Sequence, residues 1–172
     1  MGYTTDFYGE FALDRKLASA HFDYLEQFSN TRHMKRDFEK VSQLEDECRG
    51  KVGLPIGPEG AYFVAGAGMA GQGHDPSIID YNYPPETQPG LWCQWVPNED
   101  GTAICWDGGE KFYNYIEWIE YLIEHFLGPW GYKLNGEVCW QGEESGDTGK
   151  IVITDNVVDI YRGRLVYEKV KS

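Results

Sequence analysis

The chain has 172 residues, 41% hydrophobic and 15% aromatic, with a net charge of −13. That is enough apolar material for the core of one domain, residues 1–172. The charge weighs against direct nucleic-acid binding and against anionic membrane surfaces, whose phosphates would repel it. It leaves room for a basic protein partner. No apolar run approaches the roughly 18 residues needed to span a bilayer. Residues 1–6 lack the basic and apolar regions of a signal peptide, and Asp6 stands where a myristoylation signal has Ser or Thr. The four cysteines, Cys48, Cys93, Cys105 and Cys139, have no metal-ligand spacing. A cytoplasmic chain with free thiols, and with neither metal nor cofactor, is the expectation; oligomeric state is not legible.

In chain order, the first element alternates. Tyr3, Thr5, Phe7, Phe11 and Leu13 point one way and Thr4, Asp6, Tyr8 and Glu10 the other, the period of a half-buried strand. A helix is expected over 18–28 with Phe22, Leu25 and Phe28 inward, and a second over 37–48 with Phe38, Val41, Leu44 and Cys48 at helical spacing. Residues 50–90 are rich in Gly and Pro and read as an irregular insertion, with only 61–65 strand-like. So long a loop region is more often functional than idle.

Residues 91–96 and 102–106 flank a five-residue loop, 97–101, and read as a hairpin inside the sheet. Its symmetric register sets Trp92 opposite Trp106, Cys93 opposite Cys105 and Trp95 opposite Ala103. A long helix is expected over 108–127, with Asp107 as N-cap, Gly128-Pro129 as stop, and an apolar stripe of Phe112, Ile116, Ile119, Ile123 and Phe126. The end of the chain reads as a four-stranded antiparallel meander over about 132–169. The turn Asp155-Asn156 pairs Ile153 with Val158 and Ile151 with Ile160. A second turn, Arg162-Gly163, pairs Ile160 with Leu165 and Val158 with Tyr167. The loop 142–149 sets Trp140 near Ile151 and Val138 near Ile153. All three place the large apolar residues on one face, which the long helix is expected to cover. The class is therefore α+β: an antiparallel sheet, an N-terminal strand–helix unit and a Gly/Pro-rich loop region.

Several motifs bear on function. Gly66, Gly68 and Gly71 form a literal Gly-x-Gly-x-x-Gly, but the following Gln72-Gly73-His74-Asp75-Pro76 opens no amphipathic helix, so a loop or lid near a ligand is favoured over a dinucleotide site. Arg32, Lys35 and Arg36 make the one dense basic cluster; they can hold a phosphate or carboxylate, or complement a helix C-terminus. With His74 and the glycines they form the candidate ligand site. Glu117, Glu120 and Glu124 make an acidic helix face for a basic partner, or the plain wet side of that helix. Residues 143–147 are acidic without the spacing of an EF-hand, and Glu137 lies two residues before Cys139 on a polar strand face. His21, His33, His74 and His125 are scattered and no nucleophile signature is present.

The runs Gly90-Leu91-Trp92-Cys93-Gln94-Trp95-Val96-Pro97, Gly101-Thr102-Ala103-Ile104, Trp106-Asp107-Gly108-Gly109-Glu110-Lys111-Phe112-Tyr113 and Leu134-Asn135-Gly136-Glu137-Val138 carry a resemblance. The chain resembles a family of small acidic uncharacterised proteins of bacteria and phages. The resemblance implies no activity and assigns no residue. The leading expectation is a non-enzymatic interaction protein that binds a basic protein partner or a small anionic ligand. The alternatives are a small enzyme for a phosphorylated or nucleotide substrate, with Arg32, Lys35 and Arg36 as anion site, and a phage-type inhibitor of a host defence protein.

Overall fold

A computed structural model describes residues 2–64 and 73–171. Among these residues eight strands and four α-helices follow one another as β1 (Asp6–Leu13), α1 (Ser19–Ser29), β2 (Lys35–Arg36), α2 (Phe38–Val41), α3 (Glu47–Lys51), β3 (Ile78–Asp80), β4 (Trp95–Pro97), β5 (Ala103–Trp106), α4 (Tyr115–Leu122), β6 (Leu134–Gln141), β7 (Thr148–Thr154) and β8 (Val157–Arg162). Six strands form one antiparallel sheet in the order β4-β5-β1-β6-β7-β8, while β2 and β3 make a separate ribbon. The N-terminal strand is therefore central. It joins the hairpin β4–β5 to the meander β6–β8.

The alternation read in the sequence settles which face is buried. Phe7, Phe11 and Leu13 of β1, Leu134, Val138 and Trp140 of β6, and Ile151 and Ile153 of β7 share one core with Leu25 and Phe28 of α1 and Trp118, Ile119 and Leu122 of α4. Among the described residues the opposite face carries no layer: Tyr8, Glu10, Glu137 and Cys139 stand exposed. The molecule is thus two-layered, helices on one side of a sheet whose other side is wet. No described helix is long and apolar enough to cross a membrane.

Several expectations are corrected. The long helix over 108–127 begins only at Tyr115 and runs through a π turn to Leu127. Gly108, Lys111 and Asn114 all have positive φ, which no helix contains. Two distant contacts hold that stretch: Gln94 Nε2 donates to the Glu110 carbonyl and Asn114 Nδ2 to the Pro89 carbonyl. Asp107 turns back on Gly109 N–H instead of capping a helix. The helix expected over 37–48 is two short ones, α2 and α3, because Asp37 and Asp46 each cap a separate start. Residues 61–64 form no strand; Ala61 and Tyr62 lie in a turn.

The hairpin 91–106 slips by three residues, pairing Trp95 with Trp106 and Val96 with Cys105. Asn98 causes the slip: its side-chain oxygen accepts from Thr102 and Ala103 N–H, drawing it out of the loop. Cys93 consequently does not face Cys105; both are free, and burial pushes the Cys93 thiol up. The hairpin also lies at a sheet edge, not inside it. In the meander, Ile153–Val158 and Ile151–Ile160 pair as read, through a turn in which Asp155 and Asn156 both have positive φ. Val138 pairs with Ile151 and Trp140 with Gly149, a two-residue shift that keeps every side chain on its face. The expected fourth strand is absent. The β7–β8 ladder continues to Gly163, whose N–H donates to the Thr148 carbonyl, so the chain does not reverse at Arg162-Gly163.

Candidate docking groove at a free sheet edge

The basic cluster is engaged internally. Arg36 is buried, 2.7 Å from both Asp75 Oδ2 and Ser77 Oγ, with its guanidinium over the Phe63 ring. Burial pushes the Asp75 carboxyl up, but its hydrogen bonds with Ser77 and Arg36 outweigh that and hold it below the usual range. Lys35 pairs with Glu59 at 3.1 Å. Arg32 donates from Nε to the Tyr81 carbonyl and lies over the Tyr81 ring, on which His74 also stacks. The cluster and the end of the glycine segment do converge, then, but as a clamp closing the β2–β3 ribbon. Gly66, Gly68 and Gly71 lie outside the described residues.

The acidic loop before β7 is likewise structural. Asp147 accepts from Trp140 Nε1 at 3.0 Å and from Tyr3 Oη at 2.7 Å, while Glu143 takes Thr4 N–H. Glu137 ion-pairs with Lys150 at 3.4 Å on the open face, near exposed Cys139. Among the described residues no group of three or more His, Cys, Asp or Glu side chains is placed to hold a metal ion.

What remains open is the strip between α4 and β8. In the sheet order β8 is terminal, so one side of its backbone has no strand partner among the described residues. Ile160 points to the core side, opposite buried Ile151, yet is 42% exposed. At one end of the strip lies a cleft of about 350 Å³ lined by Tyr115, Ile116, Trp140, Asp147, Ile160 and Arg162. Burial, with Asp147 nearby, pushes the Tyr115 phenol up to about 12, so it stays protonated and able to donate. At the other end Ile123 and Val158 floor a second hollow beneath Glu120, Glu124 and Asn156. Both hollows lie beside the same strand, whose outer edge is unpaired among the described residues, and each has apolar side chains and carboxylates in its lining.

The acidic row is exposed, Glu117 and Glu120 on α4 and Glu124 on the π turn after it, and Glu120 and Glu124 line the second hollow. The floor was hidden from sequence reading, which paired β8 with a further strand and so counted Ile160 as covered. The usable signal is the turn itself: Arg162-Gly163 lacks the Asn-Gly or Asp-Gly pair that most strongly specifies a two-residue reversal. Comparison with family models, with curated proteins and with solved structures returns no match. The groove is therefore read from its own chemistry.

Proposed function

We propose that this protein is a non-enzymatic interaction protein that receives an extended basic segment of a partner protein along β8. The observation that carries this reading is Ile160, 42% exposed on the core side of a strand whose outer edge is unpaired among the described residues, with Ile123 and Val158 beside Glu120 and Glu124 in the neighbouring hollow. An added strand would gain backbone hydrogen bonds from β8, bury alternate side chains on the floor and set its cations against the carboxylate rim of Glu120 and Glu124. The groove favours a cation over a small anion: in the larger cleft Glu144 and Asp147 outnumber Arg162. A phosphate-handling enzyme finds less support, since Arg32, Lys35 and Arg36 each have an internal partner. An inhibitor of a host defence protein would be a special case of the same docking.

The test is binding of labelled peptides that alternate Lys with Leu or Tyr, followed by anisotropy at rising salt. Affinity should fall steeply with ionic strength. The double variant Glu120→Lys, Glu124→Lys should weaken binding at least about tenfold, the scale of a lost rim contact set. Affinity unchanged by both salt and charge reversal would sink the proposal.

A further inference from the structure

Resting on that reading of the groove, we infer that its occupant is residues 163–171 of a second copy of this chain, the two copies exchanging strands reciprocally. Leu165, Val166, Tyr167 and Val170 are 65–88% exposed, an apolar series with no cover of its own. The segment carries Arg164, Lys169 and Lys171 against the single carboxylate Glu168, in a chain whose net charge is −13. It is thus a basic, apolar, strand-like piece attached directly to the strand that bounds an acidic, apolar, unpaired groove.

The fit is specific. In the antiparallel register that sets Leu165 opposite Ile160 and Tyr167 opposite Val158, Leu165 covers the exposed part of the floor. Lys169 then falls opposite Asn156, in the hollow formed with Glu120 and Glu124. One register therefore satisfies both the apolar contacts and the charges. The chain does not fold back to make these contacts itself. The ladder runs on through Gly163 to the Thr148 carbonyl, and neither Arg162 nor Gly163 has the positive φ a tight reversal requires. In an unbroken strand Leu165 would lie on the face opposite Ile160, so the exchange requires a one-residue bulge at Gly163, a conformation open to glycine; with that bulge the segment meets the equivalent edge of a second molecule, and reciprocal exchange closes as a two-fold dimer.

Sedimentation of the full chain between about 1 µM and about 1 mM, a span covering weak to moderate association, tests this. The expected result is a mass that doubles with concentration and returns to one chain in high salt. The full-length double variant Leu165→Asp, Tyr167→Asp and the single variant Ile160→Asp should each shift the midpoint at least about tenfold toward monomer, as loss of a central apolar contact does. Circular dichroism matching the unsubstituted chain would show both folded. A dimer insensitive to all three substitutions overturns the inference. So does a chain that stays monomeric throughout. In that case a labelled peptide of residues 163–171, titrated into the Leu165→Asp, Tyr167→Asp chain, separates the two readings. Binding would leave the groove as a receptor for a basic strand and remove only the second copy as occupant, whereas no binding would remove both. Hydrogen-exchange protection of 164–169 in a monomer would place the strand on its own β8 and likewise overturn the exchange.

Discussion

The two edges of the six-stranded sheet are built by opposite rules. At one, β4 is three residues long and ends in Pro97, which has no N–H to offer a neighbour. Trp95 is buried there against Phe7, Phe11 and Phe112, and its indole N–H donates to the Tyr115 carbonyl at 2.8 Å. At the other, β8 is six residues long, contains no proline, and exposes Val157, Ile160 and Tyr161. Short, proline-ended and buried is how sheets protect an edge; long, apolar and bare is how an edge recruits another strand. The difference teaches that this sheet has one closed edge and one open edge.

Truncation at the closed edge should have the largest effect. Trp95→Ala removes a fully buried indole and should cost about 3–5 kcal/mol in urea denaturation. Ile160→Ala, on the open edge, should cost no more than about 1 kcal/mol, since so much of that side chain already meets water. Similar losses at the two sites would erase the distinction between the edges.

Acid should act next, chiefly at a buried histidine on the covered side. His33 is fully buried between Phe28 and Trp118 and donates from Nε2 to the Phe28 carbonyl. Burial lowers its pKa to about 4. Its unfolded value is about 6.5, so between these limits the unfolded chain binds the extra proton and stability rises with pH. Acidification from about pH 6.5 to about pH 4 should therefore remove on the order of 3 kcal/mol through this group, a contribution that His33→Leu removes. The same pH dependence in the His33→Leu chain would contradict the buried neutral imidazole.

The smallest effect sharpens the comparison from the open edge. Glu120→Lys with Glu124→Lys should change stability by no more than about 0.5 kcal/mol, because both side chains are exposed. Those same substitutions are expected to remove docking. A large loss of stability would mean that the rim is part of the scaffold.

Much of the scaffold was legible because short-range chemistry decides it. The alternation of β1, the apolar spacing of α1 and the Asp155-Asn156 turn are local, and each appears where the residues place it. The misread parts are set by partners far along the chain. Gln94 and Asn114 unwind the start of the expected long helix, and one Asn98 side chain resets a hairpin register by three. The insertion of β1 between β5 and β6 is likewise a long-range choice that no local period encodes. For the candidate site the charges were legible, since an exposed Glu row looks the same in any context. The floor was not: a pattern reports that Ile160 faces inward, but not whether anything lies over it.

The turn that leads into β8 carries one more consequence. Asn156 accepts Leu134 N–H on its side-chain oxygen at 2.7 Å, donates from Nδ2 to the Tyr132 carbonyl at 2.8 Å, and gives its own N–H to the Leu134 carbonyl. The hairpin tip is thereby bolted to the root of β6, and the free edge is held straight before anything arrives. A strand docking there as proposed would meet a preorganised template, so nearly all the conformational entropy lost on docking would belong to the guest. Stiffening the guest, by a crosslink or a β-branched residue, would then be the direct way to tighten that interface; stiffening the host would gain almost nothing.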